Sequence, residues 1–210
     1  MRAMLALATL LVAAPPNVDK ILLAPEAQVG KGYVLVQRSD SFGVKGTVTL
    51  DICGRSGYFS EALRAARIQV NYIKQGVDYV KHPGTLGLSN EVVRYQPGGA
   101  KEAMQEVLRH AVTCPHRPID TGEAGLPKLL LAISRIHDIK LLPGYVALKI
   151  RTTGNVRGTR VDQTSYAIYQ RVGNFLSGVY SFGANSPAQE RFVLHAAEES
   201  AGNLQRVVKK

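Results

Sequence analysis

The chain reads as an α+β protein, a mostly antiparallel β-sheet with two main helices packed against it. Three observations predict this. Short runs rich in Val, Ile, Tyr and Thr recur along the chain, and only two long apolar stripes of helical period interrupt them. The runs over 166–172 and 175–180 are separated by Gly173-Asn174 alone, which predicts a two-residue hairpin and so an antiparallel pair. No regular βαβ alternation appears, which disfavours a doubly wound parallel sheet.

In chain order, residues 15–28 read as a linker with a short helical turn at Pro25-Glu26-Ala27. A single α+β domain follows over 29–208. Gly30-Lys31-Gly32 opens a strand at 33–37, residues 39–46 are turn-rich, and 47–52 alternates with period two as a second strand that delivers Cys53. Residues 54–57 form a loop. The stretch 61–74 begins with helix formers, but Ile68, Val70 and Tyr72 alternate with polar residues, so 67–74 is assigned as a strand, as is 91–95. Ala100, Met104, Val107, Leu108 and Ala111 form one apolar stripe of a helix that carries Arg109 and His110 near its C-terminus and stops at Pro115. Residues 128–133 and 145–152 are strand-like, and the hairpin follows. Ser186-Pro187-Ala188-Gln189 opens the last helix as a cap, with Pro at the first position, and Phe192, Val193, Ala196, Ala197 and Leu204 line its buried side.

The composition fits one folded domain. Of 210 residues, 45% are hydrophobic and 20% charged, which excludes a disordered or collagenous chain. With nine Tyr, five Phe and no Trp, the core falls mainly to Val, Leu, Ile and Ala. The net charge of +10 favours anionic partners or simply solubility. Met1-Arg2 followed by an uncharged apolar run to Ala14 has the shape of a signal peptide, too short to span a bilayer. The alternative is a first element of the fold. Read as exported, the chain has no transmembrane segment once that piece is removed. An oxidising compartment gives the two cysteines, Cys53 and Cys114, one disulfide as their expected state, with two buried free thiols as the alternative.

Several phrases carry a resemblance. Val29-Gly30-Lys31-Gly32-Tyr33, Asp51-Ile52-Cys53, the stretch from Ser60 to Val70, Asn90-Glu91-Val92-Val93, Pro97-Gly98-Gly99-Ala100, Leu142-Pro143-Gly144-Tyr145 and the late hairpin resemble exported actinobacterial proteins of unknown function. The plan is also similar to the extracellular sensor domains of mycobacterial serine/threonine kinases and to related lipoproteins with a PsbP-like α/β sandwich. The resemblance spans nearly all of residues 20–205. It implies a sensor-like module that binds a ligand or partner and is not an enzyme, and it transfers no functional residues. Those kinase domains carry more disulfides than two cysteines permit.

The chemistry-bearing residues agree with a binding role. The histidines (His82, His110, His116, His137 and His195) show no metal-ligand spacing, so no metal or other cofactor is expected. No GxSxG turn appears, which leaves a hydrolase only if a Ser/His/Asp set assembles in the fold. Gly30-Lys31-Gly32 is half a dinucleotide fingerprint and precedes a strand, not a helix. From Lys128 to Arg160, seven cations face Asp138 alone, and residues 151–160 read as an exposed hairpin tip. Arg151, Arg157 and Arg160 are the anion-binding candidates, for an envelope polymer, an acidic head group or an acidic protein. The alternative is a solvated surface. No nucleic-acid-binding signature is present, so nucleic acid is not an expected partner. The sequence thus predicts a secreted, non-enzymatic binding domain acting through a cleft between sheet and helix or through the basic tip.

Overall fold

In the computed structural model, residues 17–42, 58–77, 87–114, 129–137, 139–156, 158–182 and 187–208 are described. The first sixteen residues, the strand expected at 47–52, the loop at 54–57 and the Ser186 cap lie outside them.

Seven strands, β1 (Tyr33–Phe42), β2 (Arg64–Lys74), β3 (Gly87–Tyr95), β4 (Leu130–Arg135), β5 (Val146–Val156), β6 (Thr159–Val172) and β7 (Phe175–Phe182), form one sheet. Its order is β1-β2-β3-β7-β6-β5-β4 and every pair is antiparallel. The hairpin expected from Gly173-Asn174 joins β6 to β7, with Gly173 at φ 57°, the left-handed conformation a tight two-residue turn requires. The helices are α1 (Phe59–Ala62), α2 (Gly99–Thr113) and α3 (Pro187–Val208).

Strand alternation assigns α2 and α3 to opposite faces. Val146, Leu148 and Ile150 of β5, with Ala167 and Tyr169 of β6, share a core with Ala100, Ala103, Met104 and Val107 of α2. Their neighbours Ala147, Tyr166 and Ile168 point the other way, onto Val193, Ala196 and Ala197 of α3. Successive strand side chains alternate between faces, so both sides of the sheet are apolar and each needs a cover. The result is three layers: helix, sheet, helix.

Three segments differ from expectation. β1 continues through the residues expected to turn, because Ser39, Asp40, Ser41 and Phe42 pair with Gln69, Ile68, Arg67 and Ala66. The ladder outweighs the local turn preference of Ser and Asp. The helix-forming residues at 61–66 divide: α1 ends at Ala62, and β2 starts at Arg64 with a register shift before Ala66. Residues 17–28, expected as the end of a linker, are tied into the folded body through two short helical turns, Val18–Ile21 and Pro25–Val29. Ile21, Leu23 and Val29 are buried. The Leu23 N–H donates to Asn90 Oδ1 (3.0 Å), and its carbonyl accepts from Tyr72 Oη (2.6 Å). Asn203 of α3 donates to the carbonyl of Leu22 (3.1 Å) and to Gln28 Oε1 (2.9 Å).

Candidate functional site: a cationic pocket between helix and sheet

Between α2 and one end of the sheet lies an open pocket of about 280 Å³. Lys101 and Gln105 come from one side of α2, Arg135 from the end of β4, Arg171 from the end of β6, and Gly144 and Tyr145 from the turn entering β5. The fold makes this meeting local. Arg135 pairs with Leu148 and Arg171 is two residues beyond Tyr169, so both side chains project to the face that α2 covers. Met104 and Val146, 5% and 4% exposed, form an apolar floor with the half-buried Leu108. The rim cations Lys101, Arg135 and Arg171 are exposed. Among the described residues, no carboxylate lines the pocket. Glu102, next to Lys101, reaches Arg109 instead (3.7 Å). The arrangement offers positive charge over an apolar base.

The candidates on the β5–β6 hairpin are placed differently. Arg151 makes a two-pronged ion pair with Asp162 on the adjacent strand, Nε to Oδ1 at 2.8 Å and Nη2 to Oδ2 at 2.7 Å. The guanidinium's hydrogen bonds hold the Asp162 carboxyl below its usual range, and the carboxylate pushes Arg151 up. Arg160 is exposed near the tip, and Arg157 lies outside the described residues. The wider basic stretch is divided between the two faces. Arg135 is at the pocket, whereas Lys149 points to α3, where it meets Glu190 (3.5 Å) and lies 5.8 Å from the centre of the Tyr166 ring.

Two buried polar groups support the α2 face. Glu91, fully buried on β3, receives Arg67 Nε at 2.5 Å and the Tyr180 hydroxyl at 2.8 Å. Burial pushes the Tyr180 and Tyr169 hydroxyls well up. Tyr180 folds back over Gly178, where a methyl group would collide with its hydroxyl. Glu106 of α2, also buried, accepts from the backbone N–H groups of Phe59 (2.7 Å) and Ser60 (3.3 Å), capping α1. His110 is one turn further along α2, and its ring lies tilted against that of Tyr58, with the centres 4.4 Å apart. Ser60, Glu106 and His110 thus share one junction, but the carboxylate faces backbone donors and Ser60 is fully buried. That is the geometry of a helix cap. Cys114 is buried at the end of α2, and Cys53 lies outside the described residues.

No protein-family model matches the chain, and no curated protein matches it. Its structure is similar to the crystal structure of the extracellular domain of PknH from Mycobacterium tuberculosis, with a TM-score of 0.60. The match covers 93% of this chain and 99% of that one, at 15% identity. The two share a fold. The α/β sandwich implied by the resemblance is therefore the architecture found, and it extends over nearly the whole of both chains. At that identity the likeness carries the backbone plan and no site residue, so the pocket's chemistry stands on this chain's own side chains. Arg171 and Lys101 had no signal in the sequence. A single Lys in a helix and a single Arg before a turn become a site only when the sheet order brings them together.

Proposed function

We propose that this chain is a sensor-like, non-enzymatic binding domain that works outside the cytoplasm and holds its ligand in the pocket between α2 and the sheet. The observation that carries the reading is the pocket itself, an apolar floor of core residues under three exposed cations with no lining carboxylate among the described residues. Regular elements supply those cations, so binding orders their side chains and not the backbone. The fold shared with an extracellular domain supports the binding role and the location. The hairpin tip is the weaker alternative, since Arg151 already has Asp162 as its partner.

The test is an NMR titration of the ¹⁵N-labelled full chain with two probes, hexyl phosphate and hexyl glucoside. At least one is expected to shift the amides of Gln105, Gly144, Tyr145 and Val146. If neither moves them, or if shifts fall only around Arg160, this reading of the function is overturned.

A further inference from the structure

We infer that the pocket takes an amphiphile with a doubly charged, phosphate-type head and a short apolar portion, a proposal that rests on the pocket being the binding site. The head is read from the rim. Lys101, Arg135 and Arg171 come from three separate elements, and no carboxylate among the described residues competes for them. A single carboxylate is satisfied by one guanidinium fork, whereas a phosphate presents more oxygens and more charge for several cations to share. Lys supplies a point charge and each Arg a planar pair of donors, a combination suited to a tetrahedral anion.

The apolar portion is read from the floor. Met104 and Val146 belong to the α2-face core and line the pocket nearly buried, so its apolar area still open to water lies chiefly on the half-buried Leu108 and Tyr145. A free inorganic anion would leave this floor wet. A short hydrocarbon on the anion covers it, and apolar area removed from water favours the complex. About 280 Å³ is small for a whole lipid but accommodates a head group with a few carbons. The turn at Gly144, φ 77°, keeps the mouth open on that side, because the left-handed conformation there needs a residue without a side chain.

Calorimetry and NMR with hexyl phosphate, hexyl glucoside and inorganic phosphate separate the possibilities. Hexyl phosphate is expected to bind about tenfold more tightly than hexyl glucoside, which lacks the charge-assisted contacts, and severalfold more tightly than inorganic phosphate, which leaves the apolar floor uncovered. Its affinity should fall as salt rises. Arg135→Ala and Arg171→Ala, both at exposed positions, should each weaken it about tenfold, and Arg160→Ala on the hairpin should leave it unchanged. Hexyl glucoside binding equally well at the same amides would keep the pocket as the site and overturn the anionic head. Inorganic phosphate binding equally well would overturn the apolar portion. Failure of both alkyl probes to shift the pocket would overturn this proposal together with the reading it rests on.

Discussion

Arg151 shows how little a charge count says about a side chain's availability. Its window of seven cations against one acid ends at Arg160, two residues short of Asp162, the carboxylate that holds it. The antiparallel register of β5 and β6 pairs Thr153 with Asp162, which brings the acid within reach of Arg151 on the same face. The pair is exposed, so its effect is on titration and not on the stability of the fold. Because the folded-state pKa of Asp162 is lowered, any stabilisation from the pair is present above the unfolded carboxyl's pKa and disappears as pH falls through the folded value. A ¹³C titration of the Asp162 carboxyl should therefore give a midpoint below the ordinary aspartate value of about 3.9, rising toward it in Arg151→Ala. An unchanged midpoint in the variant would mean that the ion pair does not persist in solution. The same residue-level logic explains why Arg135 was legible only as one more basic residue: its role depends on the face to which β4 turns it, which charge alone does not state.

At the scale of elements, most of the layout was legible because local rules and tertiary packing agree. The α2 stripe buries Ala100, Met104 and Val107 as its period predicts, and α3 buries Val193, Ala196, Ala197 and Leu204. Phe192, expected among these, is half-buried and instead stacks on Tyr33 at 5.1 Å. Boundaries failed where a partner strand decided them, as in the extension of β1 beyond residue 37. The start of α2 is a close approach of this kind. A Cβ on Gly99 would sit 2.8 Å from the Cβ atoms of both Leu63 and Tyr95, closer than carbon atoms allow. Gly99→Ala should therefore destabilise the protein by about 1–3 kcal/mol despite alanine's better helix propensity, because the end of α1, β3 and α2 must separate to admit one methyl group. Gly202 in α3 is the counterpart, with only the guanidinium of Arg206, which donates to Asn203 Oδ1, near it at 3.4 Å. There Gly→Ala should stabilise by up to about 1 kcal/mol. Thermal denaturation of the two variants checks both signs, and a Gly99→Ala protein as stable as the parent would refute the packing argument.

Across the whole molecule, the sheet is covered on both faces by helices far apart in sequence, and the chain entering β1 is fastened to α3 by Asn203 and Gln28. That two-sided covering was legible only in part, since helices packed on a sheet do not announce which face each will take. The other end of α2 is fastened at its junction with α1, where Glu106 caps the short helix and the Tyr58 ring packs against His110. Cys114 is one turn beyond His110 and is buried, and among the described residues no cysteine stands as a free thiol. Cys53 precedes Tyr58 by five residues in the sequence and lies outside the described residues. A Cys53–Cys114 bond would reinforce the same junction covalently. By the chain-entropy model, closing the loop between residues 53 and 114 contributes on the order of 4 kcal/mol, a large share of an ordinary domain's stability. We expect protein recovered from the culture medium of its source organism to lack the first apolar segment and to gain about two daltons on reduction, with no alkylation of either cysteine beforehand. Reduction should then lower the thermal midpoint by several degrees, as a loss of that size requires. A full-length chain confined to the cells, with both thiols alkylated in the native state, would overturn the bridge and the extracytoplasmic location together.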